Sequence, residues 1–393
     1  MQSGSKVPVA LELAGQGPEP RAAYLHVPFC YHRCGYCNFT LLAGREDLHE
    51  QFVEAILTEL SWLETPQPVQ TIFLGGGTPS ILRPELMERL LEGIAKWLPL
   101  HGIGEWSIEA NPRDITLSNL KGWSDFGINR VSIGGQSFQA RKLQVLERDH
   151  RSEELTSAIE LAMSHMPRVS LDLIFAAPQE TLMEWKDDLE KAVCSGVGHV
   201  STYGLTFEKG ASFYGRLQRQ EISKIDEQLE LDMYNLAIDT LEAFGIEHYE
   251  ISNFAAQGQT CQHNQSYWNS DRWWGFGPSA ASYLGNTRSV NHRGTLQYLR
   301  KVQSGVSPIA EQDHLSIDQQ CRERFVFGMR QRKGVDWENL KTQFPDQTTC
   351  QIQKTLLRHI EHGWMEHHGA YVRLTRSGLV ISDGLWNEYL TAR

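Results

Sequence analysis

Three cysteines that fall within eight residues carry the clearest chemical signal in the sequence. Cys30, Cys34 and Cys37 have the spacing C-x3-C-x2-C and stand directly after the first β-like run. Three thiolates on one short loop can bind three irons of a cubane 4Fe–4S cluster, which leaves the fourth iron without a protein ligand. An open iron can accept a small chelating ligand. The spacing therefore predicts a cluster that binds a second, small molecule.

A zinc site is the first alternative for these cysteines, with His26 or His32 as the fourth ligand. Structural zinc usually takes closely spaced pairs of cysteines from two separate knuckles, and the sequence has no second pair. Cysteines that bind no metal are the second alternative. The spacing favours the cluster over both.

The remaining composition is that of an ordinary globular chain. Its 393 residues suggest two or three domains, and its formal charge of −11 disfavours a protein that mainly grips nucleic acid. An odd total of seven cysteines argues against a disulfide framework, and we expect the four isolated ones to pack as small hydrophobic side chains: Cys194, Cys261, Cys321 and Cys350. No apolar run reaches the roughly 18 residues of a membrane span, and no signal or transit peptide is recognised. We therefore expect a cytoplasmic protein.

The central part of the chain alternates β-like runs with helix-like ones. Six strands are predicted, at residues 22–27, 71–74, 106–110, 130–133, 169–175 and 199–206. Each is followed by a segment with helical spacing of apolar residues, which implies a parallel sheet with right-handed crossovers. Six units are too few for a closed eightfold barrel. The sequence therefore predicts an α/β fold with an open, partial (β/α)6 barrel.

Four regions are predicted along the chain: a short leader (1–21), the barrel (22–245), an aromatic-rich α+β extension (246–310) and a C-terminal domain (311–393). The last of these reads as three helices, two short strands and a final helix, which is a winged-helix pattern. Winged helices often bind DNA, but this one has no concentrated basic face. A role as an interaction module or a lid is at least as well supported.

Chemically active residues stand at the carboxyl ends of the predicted strands, where β/α barrels carry their chemistry. A glycine run before Thr78 lets backbone N–H groups approach a ligand, although a tight turn explains such a run equally well. Glu109 and Gln136 end the third and fourth strands. Asp172 lies in an apolar strand, where a carboxylate needs a partner. Arg148 could bind a carboxylate in bidentate fashion or remain a solvated charge.

The sequence resembles the radical S-adenosylmethionine (SAM) superfamily, whose hallmark is the C-x3-C-x2-C loop. Within that superfamily it is similar to the HemN/HemW branch, through the segments Tyr24-Leu-His-Val-Pro-Phe-Cys30, Gly75-Gly-Gly-Thr-Pro, Glu109-Ala-Asn-Pro, Gly135-Gln-Ser-Phe and Asp172-Leu-Ile. The resemblance implies a 4Fe–4S cluster on the three cysteines and a SAM molecule that chelates the open iron. It also implies that an electron from the cluster cleaves SAM to a 5′-deoxyadenosyl radical.

Matching motif positions imply eight contacts to SAM: Tyr24, Gly76, Gly77, Thr78, Glu109, Gln136, Arg148 and Asp172. The match around Arg148 is looser than the others. Glu147-Arg-Asp-His150 stands where the branch usually has Gly-Arg-x-His.

The branch contains two functions on one scaffold. Oxygen-independent coproporphyrinogen III dehydrogenases use the radical to decarboxylate propionate side chains, and they typically carry C-x3-C-x2-C-x-C. Phe39 occupies the position of that fourth cysteine here. This departure is characteristic of the haem-chaperone group of the branch.

The segment His263-Asn-Gln-Ser-Tyr267-Trp268 matches the H-N-x-x-Y-W motif of the haem-chaperone group. An imidazole can ligate haem iron, and aromatic rings offer flat surfaces to a porphyrin. Residue types alone favour a structural, aromatic-rich loop with a hydrogen-bonded histidine. The resemblance reverses that preference and implies haem contacts at His263, Tyr267 and Trp268.

Two functions follow as hypotheses. The first is a haem chaperone that binds the cluster, SAM and haem, receives electrons from a donor, and passes haem to an acceptor such as a respiratory or haem-storage protein. The second is a radical SAM enzyme of the coproporphyrinogen III dehydrogenase type, acting on a porphyrinogen or a related small molecule. A nucleic-acid-modifying enzyme is a distant third, because no RNA-binding module accompanies the barrel. A monomer and a dimer are both compatible with the sequence.

Overall fold

Six parallel strands, which alternate with helices, form the centre of the structure. The computed structural model describes residues 17–391, so most of the predicted leader (1–21) lies outside the described residues. The strands are β1 (Ala22–Val27), β2 (Phe29–Cys30), β3 (Leu42–Ala43), β4 (Val69–Gly76), β5 (Leu100–Ala110), β6 (Arg130–Gln136), β7 (Arg168–Phe175), β8 (His199–Gly204), β9 (Glu247–Glu250), β10 (Asn253–Ala255), β11 (Trp273–Phe276), β12 (Ala281–Leu284), β13 (Thr287–Asn291), β14 (Ile309–His314), β15 (Val335–Asp336), β16 (Met365–His368) and β17 (Tyr371–Leu374).

Helices follow most strands of the barrel and make up much of the C-terminal region. They are α1 (His49–Ser61), α2 (Pro84–Trp97), α3 (Leu117–Asp125), α4 (Ala140–Val145), α5 (Ser152–His165), α6 (Leu182–Cys194), α7 (Ser212–Gln218), α8 (Glu227–Ala243), α9 (Gln262–Trp268), α10 (Thr295–Gln303), α11 (Ile317–Met329), α12 (Trp337–Gln343), α13 (Asp346–Glu361), α14 (Arg376–Val380) and α15 (Ser382–Leu390). None of these helices combines the length and apolarity that a bilayer crossing requires.

The barrel strands pair in the order β1-β4-β5-β6-β7-β8, and every pairing among them is parallel. This confirms the predicted open α/β barrel of six units. Parallel strands connected by helices are buried on both faces, and the strands and helices share one large hydrophobic core.

The extension continues the same sheet on both sides. Strand β11 pairs in parallel with β1 and leads through β12 and β13 to β14, while β10 pairs antiparallel with β8 and β9 follows it. The described sheet therefore has twelve strands, and the chain after residue 245 covers both edges of the barrel.

The C-terminal region has a hydrophobic core of its own, built around α11, α13 and α15. Its strands form a three-stranded sheet in the order β15-β17-β16. The winged-helix-like pattern is thus present, with two differences from the prediction: a two-residue strand, β15, joins the hairpin, and the final helix is split into α14 and α15.

Candidate functional site

A cavity of about 570 Å³ opens at the carboxyl ends of the barrel strands. Its lining contains all three clustered cysteines and all but one of the predicted SAM contacts: Cys30, Cys34, Cys37, Gly76, Gly77, Thr78, Glu109, Gln136, Arg148 and Asp172. The exception is Tyr24, which lies on β1 below the cavity. The fold thus brings together residues that are up to 142 positions apart, from Cys30 to Asp172.

The cysteine loop is closed at its base by a pair of short parallel strands. Phe29 and Cys30 in β2 pair with Leu42 and Ala43 in β3. Inside the loop, the backbone N–H of Cys37 donates a hydrogen bond to the carbonyl oxygen of Cys34 at 3.0 Å. This pairing closes residues 31–41 into a loop, and the three cysteines line one cavity.

Polar groups from neighbouring elements contact the cysteine sulfurs. The Cys30 Sγ lies 3.3 Å from the Thr78 hydroxyl, and an Arg148 N–H points to the Cys34 Sγ at 3.8 Å. Burial raises the pKa of the Cys30 thiol to about 11, with the neighbouring cysteine thiols adding to the rise and the Thr78 hydrogen bond opposing it. Burial also raises the pKa of Cys37. Without metal, Cys30 and Cys37 are therefore neutral thiols, and metal binding would release their protons.

The two histidines considered as zinc ligands do not complete a site. His26 uses both ring nitrogens: the Tyr24 hydroxyl donates to Nδ1 at 2.9 Å, and Nε2 donates to the Thr40 carbonyl at 2.8 Å. The side chain of His32 is about half exposed and lies 3.9 Å from Glu147. Among residues 17–391, no three Cys, His, Asp or Glu side chains converge on one point as a single ion requires. A cubane cluster instead takes each thiolate at a separate iron.

The glycine run is a turn pressed against the backbone that precedes the cysteine loop. A Cβ on Gly77 would lie 2.4 Å from the carbonyl oxygen of Phe29, so a larger residue does not fit. Gly76 has φ +113°, a left-handed conformation that glycine adopts without strain. Its N–H donates to Glu109 at 3.0 Å. The tight-turn interpretation therefore accounts for Gly77, whereas Gly76 also fixes a carboxylate of the cavity.

Two of the side chains that line the cavity are carboxylates inside the barrel, Glu109 and Asp172. Burial, reinforced by the charge of Asp172, raises the pKa of Glu109 to about 8, and the Gly76 hydrogen bond opposes the rise. Burial raises the pKa of Asp172 to about 6, although hydrogen bonds from Ser201 and Ser132 lower it. The Ser132 hydroxyl lies 3.2 Å from both carboxylate oxygens of Asp172. Of the two, Asp172 has the lower pKa and offers the negative charge near neutral pH, whereas Glu109 holds its proton.

Arg148 follows α4 and reaches back over the end of β6. One of its terminal nitrogens donates to the Gly134 carbonyl at 2.7 Å, and the other points to Cys34. Its buried Nε has no hydrogen-bond partner among the described residues. A buried guanidinium N–H without an acceptor is costly, so this group fits an anionic ligand in the cavity.

Several lining residues were not identified from the sequence. Tyr36 and Asn38 come from the cysteine loop, and Tyr203, Leu205 and Thr206 come from the end of β8. The rule that strand ends carry the chemistry would have found the second group, because β8 itself was predicted.

The predicted haem residues lie away from this cavity. His263 is 1% exposed at the start of α9, and both ring nitrogens are engaged, Nδ1 with the Thr71 hydroxyl and Nε2 with the Tyr267 hydroxyl, each at 2.9 Å. Burial lowers the pKa of His263 to about 3, so its ring is neutral. Trp268 is covered by the Arg330 guanidinium, 4.5 Å from its ring centre. In this arrangement α9 closes the amino-terminal end of the barrel, and neither nitrogen of His263 is free to ligate iron.

An open six-unit barrel with three thiols and charged side chains around one cavity is the arrangement that characterises radical SAM proteins. Two family patterns agree: Radical SAM superfamily over residues 24–192 and HemN C-terminal domain over residues 315–381. The chain is 30% identical to the protein named heme chaperone HemW of Bacillus subtilis over 375 residues, which cover 94% of this chain and 99% of that one.

Two further comparisons extend this result. The mitochondrial radical S-adenosyl methionine domain-containing protein 1 of Danio rerio is 30% identical, over 92% of this chain and 85% of its own. The solved structure of coproporphyrinogen III oxidase (HemN) from Escherichia coli superimposes with a TM-score of 0.86, covering 98% of this chain and 93% of that one. At 20% identity it shows the shared fold alone. The chain belongs to the HemW family of the radical SAM superfamily.

Proposed function

We propose that the protein is a haem chaperone that binds a 4Fe–4S cluster, SAM and haem and passes the haem to an acceptor protein. The observation that carries this proposal is the similarity, over nearly the whole chain, to proteins named heme chaperone HemW. Phe39 supports it, because it stands 66% exposed at the cavity where the dehydrogenases carry a further cysteine.

The cavity fits the two resident cofactors chemically. Cys30, Cys34 and Cys37 would hold the cluster, which when bound supplies the electron for reductive cleavage of SAM. SAM carries both a carboxylate and positive charges. The free N–H of Arg148 would bind the carboxylate, and the carboxylate of Asp172 would face the positive charges, with the protonated Glu109 beside it.

The haem contacts at His263, Tyr267 and Trp268 remain part of the proposal under one structural condition. Because both nitrogens of His263 are hydrogen-bonded, α9 has to shift before the imidazole can ligate iron. The remaining elements of the proposal are an electron donor for the cluster, an acceptor such as a respiratory or haem-storage protein, and a cytoplasmic setting in which thiols stay reduced.

A haem titration of the wild type and of His263→Ala tests the proposal. We expect the wild type to bind haem stoichiometrically, with a shifted Soret band, and to transfer it to an apo-acceptor. Absence of specific haem binding by the wild type would contradict the chaperone function. Unchanged stoichiometric binding by His263→Ala would remove that residue from the haem site and leave the function intact.

A coproporphyrinogen III dehydrogenase is the second candidate, favoured by the fold shared with HemN. The reconstituted protein should be incubated anaerobically with SAM, a reductant and coproporphyrinogen III. We expect no decarboxylated porphyrinogen, because the fourth cysteine of the dehydrogenases is replaced by Phe39. Product formation would favour the enzyme over the pure chaperone.

A further inference from the structure

A continuous column of four aromatic rings runs through the barrel interior. The His263 ring stacks on Phe73 with 5.1 Å between ring centres and an interplanar angle of 29°, and Phe73 stacks on Tyr24 at 6.3 Å and 26°. The Tyr24 hydroxyl donates to His26 at 2.9 Å. Tyr24 and Phe73 are direct partners in the β1–β4 pairing, so their side chains share one face of the sheet. We call these four residues the aromatic column.

The upper end of the column, at His26, contacts the residues that surround the cluster site. The Nε2 of His26 donates to the carbonyl oxygen of Thr40, in the loop that contains the three cysteines. Gly76 lies so close to the His26 ring that a Cβ there would be 2.6 Å away, and a Cβ on Gly75 would be 2.8 Å from the Phe73 ring. The column therefore contacts both the cysteine loop and the glycine turn.

Three hydrogen bonds to His263 fix the lower end of the column. The Thr71 and Tyr267 hydroxyls hold the two nitrogens of His263, and the His263 backbone N–H donates to Glu105 at 3.2 Å. Glu105 pairs with Arg130 at 3.0 Å, and both side chains are almost completely buried. A histidine fixed from three sides gives Phe73 a rigid base.

We propose that His263 is a positioning residue for the cluster and SAM site, acting through Phe73, Tyr24 and His26 on the cysteine loop. Protein interiors are close-packed, so a void beneath Phe73 is relieved only by movement of the rings above it. That movement displaces Tyr24 and loosens the hydrogen bond that His26 makes to the loop. The inference rests on the proposed cluster and SAM site and is independent of haem.

Binding of SAM to the reconstituted protein tests the proposal. In His263→Ala we expect the SAM dissociation constant to rise about tenfold, equivalent to about 1.4 kcal/mol, and the electron paramagnetic resonance (EPR) spectrum of the reduced cluster to change its response to SAM. His263→Gln, whose amide can replace the Nε2 hydrogen bond to Tyr267, should restore part of the affinity. Phe73→Leu interrupts the column but leaves the His263 hydrogen bonds in place, and it should weaken SAM binding in the same direction.

His199→Ala is the matched control. His199 is 2% exposed in β8 and bonds a tyrosine hydroxyl, that of Tyr249, at 2.9 Å, so it repeats the burial of His263 and one of its two side-chain hydrogen bonds outside the column. Both alanine variants should lose thermal stability, but His199→Ala should keep the SAM affinity and the EPR spectrum of the wild type. In the metal-free protein, peptide-resolved alkylation of Cys30, Cys34 and Cys37 should accelerate in His263→Ala and Phe73→Leu but not in His199→Ala.

The outcomes separate this inference from the proposed function. A wild type that binds neither cluster nor SAM contradicts the proposed function itself. A wild type that binds both, with His263→Ala and Phe73→Leu indistinguishable from His199→Ala in SAM affinity, EPR spectrum and cysteine reactivity, overturns the positioning role alone.

Discussion

At the scale of single residues, the barrel interior keeps ionisable side chains away from the solvent that would stabilise their charged forms. Glu109 is the clearest case, since burial and the nearby Asp172 charge raise its pKa from the ordinary 4.5 to about 8. The folded protein thus holds the proton of Glu109 more tightly than the unfolded chain does. The stability that this protonated side chain contributes is complete below about pH 4.5 and is lost as the pH rises toward about 8.

Glu109→Gln should remove this pH dependence from the metal-free protein. Between pH 5 and pH 8, the free energy of unfolding of the wild type should fall relative to that of the variant, by at most about 1.4 kcal/mol per pH unit. Urea unfolding at several pH values measures the difference. A gap between the two proteins that stays constant across this range would contradict the assignment of a buried, protonated Glu109.

Gly77→Ala tests how tightly the glycine turn is packed. A new Cβ would meet the Phe29 carbonyl oxygen at 2.4 Å, so we expect a loss of about 1–3 kcal/mol in unfolding free energy and weaker SAM binding. Gly122→Ala is the control, because the same methyl group on α3 meets nothing within 4 Å and should stabilise the helix by about 0.5–1 kcal/mol. Equal effects of both substitutions would show that the turn has room to relax.

At the scale of elements, a buried ion cluster joins two successive βα turns. Lys142 in α4 contacts Glu180 at 2.5 Å and Asp188 in α6 at 3.0 Å, and all three side chains are fully buried. Asp188 accepts hydrogen bonds at 2.7 Å from the Ser137 hydroxyl and the Phe138 N–H, in the turn directly after Gln136. Gln136 has φ +64°, which a non-glycine residue keeps only where its surroundings enforce it.

Lys142→Met should therefore destabilise the protein by about 3–5 kcal/mol, because two buried carboxylates lose their cation. Arg141→Met is the neighbouring control: Arg141 pairs with Glu184 across the same two helices but is 42% exposed, and its loss should cost less than about 1 kcal/mol. Chemical denaturation of both variants gives the comparison. Similar costs would mean that water reaches the Lys142 cluster.

At the scale of elements, the sequence predicts the features that depend on local periodicity and misses those that depend on contacts between distant residues. The alternation of β-like and helix-like runs predicted all six barrel strands, and the strand-end rule placed Glu109, Gln136 and Asp172 at one cavity. These features depend on local periodicity. The burial of His263 depends instead on Thr71, 192 positions away, and the ion cluster pairs Lys142 with a residue 46 positions later. No local pattern reports such pairings, so the sequence does not show that both ring nitrogens of His263 are hydrogen-bonded.

At the scale of the whole molecule, the extension stabilises the barrel by covering the edges of its sheet. Unpaired strand edges expose rows of N–H and C=O groups that pair with other chains. Strand β11 covers the edge of β1, which carries Tyr24 and His26, and β10 covers β8. The proposed boundary near residue 245 therefore marks a change in composition within one continuous sheet.

Two truncations distinguish a change of composition from a boundary between folding units. A chain that ends at residue 314 keeps all twelve strands of the large sheet and loses only the region with its own core, so we expect it to remain folded and to bind SAM after reconstitution. A chain that ends at residue 245 exposes β1 and β8 and removes His263 from the column, so it should aggregate. Size-exclusion chromatography measures the aggregation of each chain, and circular dichroism measures its secondary structure. A monomeric, SAM-binding 1–245 fragment would show that the barrel folds independently and that its edges need no cover.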